Sequence, residues 1–250
     1  MRRMLRRRTG VLLVVTALAC CWATGDARAE ATPADATPAT NAAAPAPPGA
    51  GPEAAAAEPP PKLVGDPAKG ATSAALCAAC HGADGNAPVP MFPKLAGQRS
   101  DYVAKQLRDF KAGHRVDPMM TGMAAMLSDQ DIVDVAAHFE SGTVNRVPGD
   151  PVLVEAGQQI YRKGRPEIGL LPCIGCHGLN GEGANGAIDG GFPAVSGQNP
   201  AYVVKQLESF RAGSRANDWK GIMQIVASRL SDDDIAALSV YLNSLSRSSK

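Results

Sequence analysis

The sequence predicts an all-α chain built from two tandem copies of one domain, and three observations carry that reading. "FPKLAGQRSDYVAKQLRDFKAGHR" from Phe92 returns as "FPAVSGQNPAYVVKQLESFRAGSR" from Phe192, and "LSDQDIVDVAAHF" from Leu127 returns as "LSDDDIAALSVYL" from Leu230. Apolar residues recur at helical spacing in both copies: Tyr102, Val103, Leu107 and Phe110, then Tyr202, Val203, Leu207 and Phe210. No segment alternates apolar and polar residues in a convincing strand pattern.

The elements follow in chain order. A basic start, "MRRMLRRRTG", precedes an apolar run from Val11 to Trp22 and the small-x-small sequence Ala27-Arg28-Ala29. Residues 1–29 therefore read as a secretory signal peptide, the apolar run being short for a membrane span. Cys20 and Cys21 leave with it; a lipid-anchoring cysteine is the competing reading, but Ala17-Leu18-Ala19-Cys20 matches that pattern poorly. Residues 30–61 are almost all Ala, Pro, Thr and Gly, with no large apolar side chain to offset the entropy of ordering, and are expected to form a disordered tether. Without residues 1–29, 19 basic residues face 23 acidic ones, a formal charge of −4 with no basic run, which excludes nucleic acid as a partner class. The remainder divides into a first domain, 62–147, and a second, 148–250. At about 90 residues each, such domains gain from a large bound apolar cofactor.

Each copy opens on Asp-Pro (Asp66-Pro67, Asp150-Pro151), an N-cap followed by proline where its missing N–H costs nothing. The middle helices begin near Ser100 and Asn199 and end at Gly113 and Gly213. The last helices open with Ser128-x-x-Asp131 and Ser231-x-x-Asp234, close to a capping box.

The chemistry lies in Cys-x-x-Cys-His, which occurs as Cys77, Cys80, His81 and again as Cys173, Cys176, His177. Cys-x-x-Cys alone also serves redox thiols and zinc. A thioredoxin-like site wants a preceding strand, a shared zinc site wants its pairs closer together, and a structural disulfide leaves both adjacent histidines unexplained. With histidine fixed beside two thiols, a haem can form two thioethers while the imidazole reaches its iron. Covalent haem c, twice, accounts for both copies and for export.

Each iron then needs a sixth ligand. Downstream of Cys173 the only histidine is His177, so methionine is the usual alternative, and that region holds one, Met223. Met223 lies seven residues before Leu230, and Met120 lies seven before Leu127. That register selects Met120 from Met119, Met120, Met123 and Met126, with Met123 its rival. His114 and His138 correspond to Ser214 and Tyr241 and read as a loop residue and a helix-surface residue. Pro93 and Pro193 stand in a turn that can also present a carbonyl to the second nitrogen of a ligating imidazole.

On both Cys-x-x-Cys-His sites, "FPKLAGQ"/"FPAVSGQ", "YVAKQL"/"YVVKQL", "MTGM" and the "LSD" helices, the region beyond the tether resembles the diheme cytochrome c4 family, two class I cytochrome c domains in tandem. The resemblance implies axial Met120 and Met223, with the Pro93 and Pro193 carbonyls holding His81 and His177. It implies haem propionates near the domain interface. It further implies a periplasmic, often membrane-associated electron carrier between quinol–cytochrome c reductase and a terminal oxidase. The long Ala/Pro tether and the Met-rich approach to Met120 depart from that pattern.

Two His/Met irons leave no open position for substrate, so the sequence points to electron transfer rather than catalysis. The alternatives are a fixed cytochrome subunit of a periplasmic dehydrogenase, as in flavocytochrome sulfide dehydrogenases, and a haem peroxidase, which needs one methionine to dissociate.

Overall fold

The computed structural model describes residues 62–246 apart from 185 and 187; the expected signal peptide (1–29) and tether (30–61) lie outside the described residues. Everything described belongs to one compact unit, Glu58–Lys250. The first repeat comprises α1 (Pro67–Ser73), α2 (Ala78–His81), α3 (Ser100–Ala112), α4 (Pro118–Ala125) and α5 (Asp129–Glu140). The second comprises α6 (Pro151–Lys163), α7 (Ile174–His177), α8 (Pro200–Arg211), α9 (Ile222–Ala227) and α10 (Asp232–Ser244). Among the described residues β structure is confined to two isolated bridges, Arg165 with Leu170 and Ala184 with Phe192.

The helix ends are built as their sequences require. Asp66 accepts from the backbone N–H groups of Ala68 and Lys69, and Asp150 from those of Val152 and Leu153. Ser128 with Asp131, and Ser231 with Asp234, form complete capping boxes. Gly113 ends α3 in the left-handed conformation at φ 78°, and Gly213 follows α8 at φ 74°.

In each repeat the first helix crosses the last at a glycine. A Cβ on Gly70 would stand 2.0 Å from the Asp134 carbonyl oxygen, and one on Gly157 would stand 2.3 Å from that of Ala237. Only a residue without a side chain lets these backbones approach so closely. Gly70 lies four residues beyond its cap and Gly157 seven beyond its own, so α6 carries nearly one extra turn before the crossing.

Two cores result. The first gathers Val103, Leu107 and Phe110 of α3 with Ile132, Val135 and Phe139 of α5. The second gathers Ile160 and Tyr161 of α6, Val203 of α8, and Ile235, Leu238, Tyr241 and Leu242 of α10. Burying each large apolar side chain contributes about 1.5–3 kcal/mol. The repeats meet through equivalent residues used reciprocally. Arg115 donates to the Tyr202 hydroxyl (3.1 Å) and Gln206 (2.8 Å), while Arg215 donates to the Tyr102 hydroxyl (3.0 Å) and Gln106 (3.2 Å). This is the arrangement of a two-fold interface, made here within one chain.

Candidate functional site

Each cysteine–histidine motif forms one short helical turn, α2 or α7, with the first cysteine as its N-cap and the histidine at its end. The four cysteines are half-buried, and none is joined to another in a disulfide. Desolvation raises the Cys77 thiol pKa and pushes Cys173 up to about 11, opposite to the lowering that activates redox thiols. Among the described residues no group of three or more His, Cys, Asp or Glu side chains comes together to hold a bare metal ion.

The imidazoles are held alike. His81 Nδ1 donates to the Pro93 carbonyl at 2.9 Å, and His177 Nδ1 donates to the Pro193 carbonyl at 2.9 Å. A carbonyl can only accept, so each ring carries its proton on Nδ1 and keeps the Nε2 lone pair for a metal. Desolvation lowers both histidine pKa values despite the opposing carbonyl bond, favouring the neutral form that can ligate. The Pro93 loop is fixed from within its repeat, where Leu95 and Ala96 donate to the Gly85 carbonyl at 2.8 and 3.1 Å; Val195 and Ser196 do the same to Gly181 at 2.8 and 3.1 Å.

Met120 is half-buried in α4 and packs against the first core, as Cys77 also does, while Met119 and Met126 are exposed and Met123 is half-buried. The Asp117 side chain caps α4 and accepts from the Met120 backbone N–H at 3.2 Å. In the second repeat Asp218 accepts from the Met223 backbone N–H at 2.7 Å. A carboxylate thus anchors the backbone of both methionines that the repeat register selects. The second loop is longer by a turn, Trp219–Gly221, with Lys220 left-handed at φ 52°. His114 is exposed beside Asp109, and His138 lies at the crossing of α5 with α1, its ring edge-on to Phe139. The donor set in each repeat, two thiols, one neutral imidazole with a free lone pair and one anchored thioether, fits haem c.

The family model for cytochrome c matches residues 67–143 and 154–246. Cytochrome c4 of Pseudomonas aeruginosa is 48% identical over 183 residues, which cover 73% of this chain and 90% of that protein. The crystal structure of reduced recombinant cytochrome c4 from Pseudomonas stutzeri matches with a TM-score of 0.69 and 45% identity, covering 73% of this chain and 100% of that one. The chain belongs to the cytochrome c4 family. A thiosulfate dehydrogenase electron acceptor of Stutzerimonas stutzeri is also similar, 36% identical over 177 residues, covering 69% of this chain and 80% of that protein.

As a cytochrome c4 family member, the chain is a diheme electron-transfer cytochrome carrying two covalent haem c groups. Sequence reasoning did not single out Asp117 and Asp218, the anchors of the methionine loops, nor Arg115 and Arg215, which join the repeats. Both arginines stand in the repeated "AGHR"/"AGSR", so the repeat offered the signal without its meaning. Among the described residues neither guanidinium has a carboxylate within ion-pair distance; their partners are tyrosine hydroxyls, amides and the rings of Phe110 and Phe210. Burial alone would raise the Tyr202 phenol, but the two guanidiniums lower its pKa. The Asp109 carboxylate reaches Arg215 only through Asn217, whose side-chain amide donates to Asp109 at 2.5 Å while its oxygen accepts from Arg215 at 3.1 Å.

Proposed function

We propose that this is a periplasmic carrier passing single electrons from a quinol–cytochrome c reductase toward a terminal oxidase, with His81 and Met120 ligating the first iron and His177 and Met223 the second. The domain boundary in this reading lies between Val147 and Pro148. Haem c ligated by histidine and methionine cycles between ferrous and ferric iron, and the methionine favours the reduced form. The chain's residues prepare for that change. The cysteines tether the macrocycle, the Pro93 and Pro193 carbonyls fix the imidazole tautomer, and Asp117 and Asp218 anchor the methionine backbones.

The observation that supports this reading is that each repeat holds one imidazole bonded to a proline carbonyl and one methionine with an anchored backbone; with these four as ligands, both irons would be saturated and neither would keep an open site for a substrate. The exported location rests on the amino-terminal sequence, and no described helix is long and apolar enough to cross a membrane. Met223→Ala tests the ligand set: one haem loses its sulfur–iron charge-transfer band and its potential falls, with both haems still covalently bound. Retention of that band in both haems rejects Met223. Mixing the reduced protein with membranes tests the direction, since oxidase-dependent oxidation is required.

A second reading is favoured by the similarity to a thiosulfate dehydrogenase electron acceptor. In it, a periplasmic dehydrogenase supplies the electrons. Rapid reduction of the oxidised protein by such a dehydrogenase, with slow reduction by quinol–cytochrome c reductase, selects this donor.

A further inference from the structure

Two glutamines at equivalent positions cross between the repeats. Gln198 Oε1 accepts from the Lys94 backbone N–H at 2.8 Å, and its Nε2 donates to the Lys94 carbonyl at 2.9 Å. Gln98 Oε1 accepts from the Ala194 N–H at 2.8 Å, and its Nε2 donates to the Ala194 carbonyl at 2.8 Å. Lys94, Gln98, Ala194 and Gln198 are all buried, and the donor–acceptor pairing at each backbone residue fixes which way each amide points. Each Oε1 also accepts a neighbouring backbone N–H in its own repeat, from Arg99 or Asn199.

The N–H of Lys94 and the carbonyl of Pro93 belong to one peptide group, as do the N–H of Ala194 and the carbonyl of Pro193. One chain of bonds therefore runs from His81 Nδ1–H to the Pro93 carbonyl, through that peptide to the Lys94 N–H, and on to Gln198 in the other repeat. Its mirror runs from His177 through Pro193 and Ala194 to Gln98. A peptide that donates its N–H becomes a stronger acceptor at its carbonyl, because linked hydrogen bonds polarise one another. A stronger acceptor at Nδ1–H makes the imidazole a more electron-rich ligand, which stabilises ferric iron.

We infer that Gln98 and Gln198 are cross-domain positioning residues, each tuning the axial histidine of the opposite repeat by polarising the peptide whose carbonyl holds it. The inference rests on His81 and His177 being the iron ligands. Removing one glutamine amide should raise the potential of the haem in the other repeat and leave the haem in its own repeat nearly unmoved.

The test uses holoprotein variants Gln98→Met and Gln198→Met, near in volume to the wild type. Redox titrations followed by NMR assign a potential to each haem, and the reduced protein reports the ring Nδ1–H resonance of each histidine. Ring resonances of two axial histidines in the wild type establish the ligands; their absence rejects the ligand assignment. With those present, Gln98→Met should raise the second haem's potential and move the His177 Nδ1–H signal upfield, and Gln198→Met should do the same to the first haem and His81. No shift, or a shift confined to the variant's own repeat, overturns the inference. If both haems move together, Gln98→Glu decides, because it keeps an acceptor for the Ala194 N–H. Return of the His177 signal and the second potential toward the wild-type values supports polarisation, and failure to return them overturns it.

Discussion

At the residue scale, the least symmetric feature beside the two imidazoles is Lys94. It occupies the position of Ala194, next to the proline whose carbonyl holds His81, and it is 6% exposed. Its ammonium donates to the Asn145 carbonyl, and burial lowers its pKa. A buried positive charge favours the reduced state of a nearby haem, and buried charges are screened much less than surface ones. Lys94→Ala should lower the first haem's potential and spare the second; because Gln198 bonds only the Lys94 backbone, the cross-domain contact survives the change. Assigned redox titrations check this, and equal shifts in both haems would contradict it. Arg165, a charge that the sequence places ahead of the second motif, is instead ion-paired with Asp234 at 2.5 Å, so its influence there is largely neutralised. Between the candidate methionines, Met120→Ala should abolish the first haem's charge-transfer band while Met123→Ala preserves it, since Asp117 anchors Met120 at the helix start. Absorption spectra of the oxidised proteins distinguish the two.

At the element scale, the helix crossings and caps carry stability. Gly157→Ala forces a Cβ against the Ala237 carbonyl and the Tyr241 side chain, so α6 and α10 must separate. Overpacking of this kind costs about 1–3 kcal/mol, and each kcal/mol lowers Tm by about 2–4 °C in a chain of this size. Thermal unfolding of the holoprotein measures it. The Asp234 carboxyl accepts from the Ser231 backbone N–H in the α10 capping box and from Arg165, and these bonds lower its pKa against the opposing effect of burial. A depressed folded value means that this stabilisation is complete above the ordinary aspartate pKa of about 3.9 and is lost as pH falls through the lowered value. Asp234→Asn should therefore be less stable than the wild type at neutral pH, with the gap closing in strong acid. Denaturant titrations across that range test the sign.

At the scale of the whole molecule, two domains joined through buried polar contacts are expected to behave as a coupled pair. Reduction of one haem disfavours reduction of its neighbour, and the repeats already differ at Lys94 and Ala194. Two resolvable redox steps follow. Raising the salt concentration should narrow their separation by screening surface charge, without closing it, because the part due to Lys94 lies out of solvent. A single merged wave at high salt would show that no buried difference contributes.

The sequence by itself determined the all-α class, the duplication, the caps, the haem attachment and the register of the methionines. Those features are local or repeated: thioether chemistry needs two thiols and an imidazole within five residues, capping needs a side chain three residues from its N–H, and the duplicate copy checks each assignment. What only the tertiary structure decided depends on residues far apart in the chain. The amide of Gln98 meets Ala194 across 96 positions and that of Gln198 meets Lys94 across 104. The glycine crossings depend on where α1 meets α5 and α6 meets α10, and the Lys94 ammonium finds its carbonyl partner at Asn145, 51 positions away. Duplication also hides such contacts from the sequence, because a residue preserved in both copies serves equally well in each core or in a two-fold interface. Close packing of the two repeats settles which.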